Sequence, residues 1–189
     1  MLFYKNSNFS RALIFIVILI CGLYVGQVAS GSTELKSIVS GYGYLGLFIV
    51  SVIAGFNLAV PMPAVALMPL FMESGLSFSI SILIMTAGMT VADIIAFALA
   101  RLGRKLATKS FGNEFFRKID FFRDKYEKFP MIVLFLFASF VPLPNELLVV
   151  PLALLGYSFY RIILAVFLGN ALFNILFSQG YLNIFYLLG

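Results

Sequence analysis

The chain has 189 residues, of which 62% are hydrophobic and 11% charged, and its mean hydropathy is +1.05. A soluble domain of this size could not bury so much apolar surface, so the composition predicts a single polytopic membrane domain. There is no histidine and only one cysteine, Cys21. These counts exclude a disulfide within the chain, a histidine-containing metal site and a Ser-His or Cys-His nucleophile. We therefore expect no cofactor and no metal.

Residues 1–30 are predicted to form an N-terminal transmembrane anchor. Lys5 and Arg11 precede an apolar run over about 12–29, and the positive-inside rule places these basic residues in the cytoplasm. A basic start followed by a short apolar core is also typical of a cleaved signal peptide. Both interpretations leave residues 31–41 outside, and we favour the retained anchor.

Residues 41–100 are predicted to form a first unit, which consists of a hairpin and a membrane-crossing helix. The apolar stretch is interrupted at Pro61 and Pro63, whereas 77–100 is uninterrupted. Proline removes a backbone donor and obstructs the preceding helical turn, so we predict a re-entrant hairpin with its tip at these prolines. The arm over 46–60 would be about 23 Å long as a helix, more than half of the ~30 Å hydrocarbon core. The alternative is an ordinary proline kink.

Residues 101–128 are predicted to be a cytoplasmic basic linker, because they hold nine of the 13 lysine and arginine residues. After the anchor has taken the chain outside, full crossings by both 42–73 and 77–100 would leave this linker outside, so its cytoplasmic location requires the hairpin. Apolar side chains recur along it at helical spacing, at Phe111, Phe115, Ile119, Phe122 and Tyr126. We predict an amphipathic helix, either in the headgroup region or against the underside of the bundle. The candidate headgroup contacts are Arg101, Arg104, Lys105, Lys109, Arg117 and Lys118. The basic linker is not a nucleic-acid motif.

Residues 129–189 are predicted to form a second unit of the same kind, inverted relative to the first. Its hairpin turns at Pro142 and Pro144, Arg161 marks the cytoplasmic side, and 162–180 crosses outward. The two units align without a gap at an offset of 81 residues, with coincidences at Pro61/Pro142, Pro63/Pro144, Gly75/Gly156, Ser77/Ser158, Phe78/Phe159 and Gly88/Gly169. The predicted fold is therefore an all-α membrane protein built from an inverted repeat, an arrangement typical of transporters.

Polar side chains at membrane depth indicate a substrate and ion pathway near the two proline tips. A carboxylate at the bilayer centre costs about 2.5–3.5 kcal/mol on insertion scales, so it is usually functional or paired. Asp93 and Glu146 are candidate proton carriers, because hydrocarbon favours the neutral carboxyl. Alternatively, Asp93 forms a structural hydrogen bond to a hairpin backbone, and the asparagines are structural. The candidate pathway residues are Asn57, Pro61, Pro63, Asp93, Pro142, Pro144, Asn145, Glu146, Asn170 and Asn174.

Three short motifs occur together in this chain. They are Asn57-x-x-x-Pro61-x-Pro63, Gly88-x-x-x-x-Asp93 followed by Ala100-Arg101-Leu102-Gly103-Arg104, and Phe140-Val141-Pro142-Leu143-Pro144. Together they resemble the DedA/VTT-domain membrane proteins, also called SNARE-associated Golgi proteins, over about residues 41–180. The resemblance implies lipid translocation: bacterial members are linked to flipping undecaprenyl phosphate or phospholipids, and eukaryotic members to scrambling phospholipids.

The chain departs from the family pattern at charged positions. Bacterial members typically have glutamate where this chain has Asn57, and arginine near the second tip, where this chain has Ser139 and Asn145. Glu146 can replace the lost carboxylate, but no arginine would clamp a phosphate. This departure weakens the phosphate-lipid hypothesis and leaves a zwitterionic lipid or non-selective scrambling more open.

We expect the protein to move a lipid, or less readily a small solute, by alternating exposure of a pocket at the membrane midplane. Membrane lipids would be its partners, protons a candidate coupling ion, and its location a prokaryotic plasma membrane; an oligomer remains open. Two hypotheses from other classes compete with this one. An intramembrane enzyme acting on lipid would have to work with two separated carboxylates. A non-transporting assembly or membrane-shaping protein would not depend on them.

Overall fold

The computed structural model describes residues 31–56, 64–111 and 128–188, together with Ile20, Tyr24 and 27–29. All regular structure in these ranges is helical. The elements are α1 (Thr33–Gly55), a 3₁₀ turn (Ala64–Leu67), α2 (Met68–Glu73), α3 (Phe78–Phe111), α4 (Phe129–Phe140), α5 (Glu146–Leu155) and α6 (Phe159–Leu188).

Three of these helices contain stretches long and apolar enough to cross a membrane: Thr33–Gly55, Phe78–Leu106 and Phe159–Ile184. Large apolar side chains are exposed along α3 and α6, including those of Leu83, Leu99, Leu164 and Leu168. Such a surface is unfavourable in water but matches the hydrocarbon of a bilayer. The predicted all-α membrane class is therefore confirmed.

The helices extend further than the apolar stretches that predict them. α1 begins at Thr33, where the Leu35 amide donates to the Ser32 hydroxyl, and it is bent at Gly43, whose φ is 51°. α3 continues past residue 100 to Phe111, and α6 continues past residue 180 to Leu188. The residues just after 100 include arginine, lysine, leucine and alanine, which favour helix. The helix α3 therefore continues beyond the point where the chain becomes polar.

α1 and α3 run parallel to each other. The Tyr44 hydroxyl accepts a hydrogen bond from the Ser77 amide at 2.9 Å. Further along both helices, a Cβ added at Gly88 would lie 2.6 Å from the Ser51 Cβ, and one added at Gly55 would lie 2.6 Å from the Ala92 Cβ. Residue numbers therefore rise together along the two helices. The chain between them must return to its starting side, and the 3₁₀ turn and α2 lie in that return.

α3 and α6 run antiparallel. The Asn170 side chain bonds that of Asp93, and the Asn174 side chain bonds that of Thr86. At one end of the pair, Arg101 bonds the backbone just before α6. Residue numbers thus rise along α6 as they fall along α3. The end where α3 begins and α6 ends is called the Phe78 end below, and the opposite end the Arg101 end.

Two turns, one before α3 and one before α6, have the same geometry. Gly75 and Gly156 have φ values of 87° and 92°, which glycine adopts without steric cost. In both turns the glycine amide donates to the carbonyl three residues earlier. The next amide, of Leu76 or Tyr157, donates to the carbonyl five residues before it at 3.1 Å. This is the left-handed glycine ending of an α-helix, and the two examples are 81 residues apart.

The long helices pack against neighbours at two further glycines with the same offset. Gly88 of α3 lies against α1, and Gly169 of α6 lies against α4, where an added Cβ would be 2.5 Å from the Ala138 Cβ. The short helices pack elsewhere: α5 lies on α3, and α2 contacts α6. Thus α5, which precedes α6 in the chain, packs on α3, and α2, which precedes α3, contacts α6.

Two apolar cores occupy opposite ends of the bundle. The core at the Phe78 end includes Leu47, Met68, Phe71, Met85, Phe173 and Tyr181. The core at the Arg101 end includes Phe97, Leu134, Val149, Leu152, Ile162 and Val166. The part of α3 that carries Asp93 and the part of α6 that carries Asn170 lie between these cores. Three buried polar side chains, those of Asp93, Asn145 and Asn170, meet there.

Candidate functional site

Asp93, Asn145 and Asn170 form a buried hydrogen-bonded network between the two apolar cores. The Asn170 Nδ2 donates to the Asp93 Oδ2 at 2.9 Å, and the Asn145 Nδ2 donates to the same oxygen at 3.3 Å. The Asn145 Nδ2 also donates to the Asn170 Oδ1 at 2.9 Å. Asp93 and Asn170 are each only 1% exposed. The structure therefore brings together three of the side chains that the sequence singled out.

Asn145 reaches the network because the chain breaks between α4 and α5. α4 ends at Phe140, Val141 is extended, and α5 begins at Glu146. Pro142 and Pro144 lie in this break, where their missing amides cost no helical hydrogen bond. The Asn145 carbonyl accepts from the amides of Leu148 and Val149. Its side chain makes no capping hydrogen bond to α5 and donates to Asp93 instead.

Glu146 lies next to the network, in the first turn of α5. Its side chain is buried, with 5% exposure, and neither carboxyl oxygen has a hydrogen-bond partner within the described ranges. A buried carboxylate without a basic partner is costly as an anion, whereas the neutral acid can donate a hydrogen bond. Glu146 is therefore equipped to take up and release a proton.

Asn174 forms a second polar contact between the long helices, at the side of the network toward the Phe78 end. Its Nδ2 donates to the Thr86 Oγ1 at 3.2 Å, while its Oδ1 has no partner among the described residues. Asn174 corresponds to Asp93 in the alignment of the two units, at the same offset of 81 residues, and in the structure Asp93 bonds Asn170. The Asp93 Oδ2 accepts from two side chains, and a hydrogen bond between Asp93 and the backbone of the first hairpin tip stays a prediction, because that tip lies outside the described residues.

Thr86, Thr90 and Ser178 belong to this polar interior but were not predicted from the sequence. All three are buried. Thr90 donates to the Thr86 carbonyl at 2.7 Å. Ser178 follows Asn170 and Asn174 at a constant spacing of four residues, which places the three on one face of α6. That spacing was the available signal for Ser178.

Arg101 holds the Arg101 end of the bundle together. Its Nη2 donates to the carbonyl oxygens of Tyr157 at 2.7 Å and Gly156 at 3.3 Å, and its guanidinium lies 5.2 Å from the Phe97 ring centroid. It sits about two helical turns, or ~12 Å, along α3 from Asp93. The guanidinium thus ties α3 to the turn before α6.

Several predicted site residues are not covered by these observations. The first proline tip, with Asn57, Pro61 and Pro63, lies outside the described residues, as do Arg117 and Lys118 of the linker. Only the backbone of Lys109 is described. Arg104 and Lys105 lie on α3 beyond Arg101. The lipid-headgroup contacts of these basic residues stay a prediction.

A cavity of about 260 Å³ lies along α6 toward the Phe78 end, lined by Leu176, Phe177, Gly180, Tyr181 and Ile184. None of these residues belongs to the network, so this cavity is not the polar midplane pocket expected from sequence. In the described ranges no three His, Cys, Asp or Glu side chains come close enough to hold a metal ion.

Comparison with known proteins adds one finding. A family model described as the VTT domain matches residues 58–180, a range that contains every member of the network and most of the chain. No curated protein and no solved structure matches the chain significantly.

Proposed function

Since the chain belongs to the VTT-domain family, the family also known as DedA or SNARE-associated Golgi proteins, we propose that it moves lipid across the membrane. The substrate is a phospholipid or a polyprenyl phosphate, and its path runs through the centre of the bundle between two re-entrant hairpins. One observation carries this proposal: the buried network of Asp93, Asn145 and Asn170 joins both long helices to the break between α4 and α5.

The proposed inverted repeat is supported by the shared 81-residue offset of structural details. The helix-ending glycines Gly75 and Gly156 have the same hydrogen bonds, and Gly88 and Gly169 occupy equivalent close contacts. The antiparallel course of α3 and α6 is what inversion of one unit relative to the other requires. Inverted repeats place their substrate near the midplane, at the interface of the two units.

The proposed hairpins are supported by helix direction in the first unit and by helix length in the second. α1 and α3 are parallel, so the segment that contains α2 must turn back before α3 begins. α5 has ten residues, which span about 15 Å and so about half of a ~30 Å hydrocarbon core. Backbone that is not helical at this depth is tolerated where protein covers it or water reaches it. Both proline tips would then lie near the substrate path.

A transport role accounts for Glu146 better than a scaffolding role does. A buried carboxyl without hydrogen-bond partners lowers stability, and a leucine of similar size would remove that cost. Intramembrane carboxyls are retained mainly where they carry protons or line a pathway. We propose that Glu146 and Asp93 exchange the coupling proton, and that the protein has no enzymatic activity of its own.

The charges around the network favour a lipid whose head group does not have to be bound by lysine or arginine side chains. Arg101, two turns from Asp93, already donates to two backbone carbonyls. Among the described residues no lysine or arginine lies in the network. A zwitterionic phospholipid, or non-selective scrambling, therefore fits better than a phosphate-headed lipid. We further propose a prokaryotic plasma membrane location, with the N-terminus and the basic linker in the cytoplasm.

The test is a dithionite quenching assay on purified protein in liposomes that contain a fluorescent phospholipid. We expect fast loss of inner-leaflet fluorescence in the wild type, and loss at the protein-free rate in Glu146→Gln. The matched control is Glu73→Gln. It also removes a carboxylate, but one that pairs with Lys36 at 2.7 Å and is away from the network, so translocation should persist.

Two outcomes would count against the proposal. Equal activity of Glu146→Gln and the wild type would show that the lipid does not depend on the central site. No activity above protein-free liposomes would refute phospholipid translocation. The same liposomes with a labelled polyprenyl phosphate or a small solute would then separate a selective carrier from a scaffold, and a change in lipid products would indicate an enzyme.

A further inference from the structure

Two rows of polar side chains line the contact between α3 and α6. On α3 they are Thr86, Thr90 and Asp93, and on α6 they are Asn170, Asn174 and Ser178. Spacings of three and four residues keep each row on one face of its helix. All six side chains are buried, although both helices are apolar enough to cross a membrane. The rows extend from the network toward the Phe78 end of the bundle.

Two polar atoms in these rows have no hydrogen-bond partner within the described residues: the Asn174 Oδ1 and the Ser178 Oγ. Both residues are fully buried, at 0% exposure. The buried Ser81 hydroxyl of α3, which lies outside the two rows, also has no partner among the described residues, whereas several other buried hydroxyls bond within their own helix. Ser51 and Ser139 each donate to the carbonyl four residues earlier, at 2.7 Å. The hydroxyl of Ser178 is therefore left available, in a place where an unpaired polar group is costly.

We propose that the two rows form the route by which protons reach Asp93 and Glu146 from the Phe78 end of the bundle. This inference rests on the proposed function, because it supplies the path for the coupling proton. Asn170, Asn174 and Ser178 are one helical turn apart, about 5.4 Å along the axis. One water molecule with two hydrogen bonds of about 2.8 Å spans such a gap. Buried water occupies sites of this kind, where unpaired polar groups face one another.

The chemistry of the rows fits a proton better than a metal cation. Hard cations such as Ca²⁺ and Mg²⁺ require about six or more oxygen ligands, whereas the rows offer two unpaired oxygens, on Asn174 and Ser178. Hydroxyl groups and bridging water molecules can pass a proton from one hydrogen bond to the next, and the amide groups of Asn170 and Asn174 would hold such water molecules in place. Among the described residues, the buried titratable groups are Asp93 on α3, Glu146 on α5, Tyr157 just before α6 and Tyr181 on α6. At the Phe78 end, Lys36 and Glu73 neutralise each other.

The route can be tested with proteoliposomes that contain a pH-sensitive dye and carry an imposed potassium diffusion potential. The variants are Ser178→Ala and Asn174→Leu, and the matched control is Ser51→Ala, which removes a buried hydroxyl bonded to its own helix. We expect Ser178→Ala and Asn174→Leu to slow internal acidification about fivefold, the factor that one lost hydrogen bond produces. Ser51→Ala should stay at the wild-type rate, and Ser178→Thr should restore the hydroxyl and the flux.

Thermal stability separates conduction from a structural role. Because the Ser178 hydroxyl has no partner among the described residues, its removal should leave the melting temperature unchanged or raise it. A lower melting temperature with unchanged proton flux would overturn the proposal, because it would make Ser178 structural. Equal fluxes in Ser178→Ala, Asn174→Leu and Ser51→Ala would also overturn it, as would wild-type flux no higher than that of protein-free liposomes.

The proton assay and the lipid assay can refute the two proposals separately. Hydroxyl-dependent proton flux without lipid movement would support the route and refute lipid as the substrate. Lipid movement with proton flux that ignores Ser178 and Asn174 would refute the route and leave the proposed function in place.

Discussion

Replacing Gly169 by alanine should destabilise the bundle, whereas replacing Gly180 on the same helix should stabilise it. A Cβ at Gly169 would lie 2.5 Å from the Ala138 Cβ and 3.1 Å from the Phe135 carbonyl oxygen. Both atoms are fixed by the backbone of α4, so no side-chain rotation relieves the overlap. At Gly180 no atom lies within 4 Å of the added Cβ. The two substitutions are therefore chemically identical and differ in their surroundings.

The expected difference follows from two opposing contributions. Overpacking costs about 1–3 kcal/mol, and the upper end applies here because the whole of α4 must shift. Alanine is favoured over glycine inside a helix by about 1 kcal/mol. Gly169→Ala should therefore lose about 2 kcal/mol and Gly180→Ala should gain about 1 kcal/mol. Since 1 kcal/mol corresponds to about 2–4 °C in a protein of this size, the melting temperatures should differ by about 6–12 °C.

The assay is the fraction of detergent-solubilised protein that remains monodisperse on size exclusion after brief heating. It reports operational stability, which is the appropriate quantity when unfolding is irreversible. Equal midpoints for the two variants would refute the close contact of α4 with Gly169. A lower midpoint for Gly180→Ala would refute the open surroundings assigned to that position.

Three further substitutions test other parts of the structure. Gly156→Ala should cost about 1–3 kcal/mol, because φ of 92° strains any residue with a Cβ, and an unchanged midpoint in the heating assay would contradict this. Arg101→Gln should cost about 1 kcal/mol through loss of its bonds to the carbonyls of Tyr157 and Gly156; wild-type stability would show that these bonds contribute nothing. Asp93→Asn should change stability by less than about 1 kcal/mol, because one oxygen remains to accept from both asparagines, and should reduce lipid translocation to the protein-free rate in the dithionite assay. Full translocation by this variant would exclude the charge of Asp93 from the mechanism.

The repeat could be detected in the sequence at positions where the backbone conformation or a close neighbour allows only a few residue types. Gly75 and Gly156 have positive φ, and Gly88 and Gly169 face neighbours at distances that exclude a Cβ. Leucine, isoleucine and valine positions do not reveal the repeat, because many apolar side chains can fill the same space. The ends of α1, α3 and α6 were harder to predict. Hydropathy reports where hydrocarbon ends, while helix propensity and capping decide where a helix ends.

The aspartate and asparagines of the site could be predicted from the sequence, whereas its threonines and serine could not. Asp93, Asn145 and Asn170 stand out in apolar stretches, and the structure joins them. The alignment of Asp93 with Asn174 did not predict their contacts, because residues related by an inverted repeat occupy equivalent positions without having to touch. Thr86 and Ser178 were not predicted, since hydroxyls in membrane helices usually bond backbone carbonyls of the same helix, as those of Ser51 and Ser139 do. Only the tertiary arrangement distinguishes a hydroxyl that is bonded within its helix from one, at Ser178, that has no hydrogen-bond partner among the described residues.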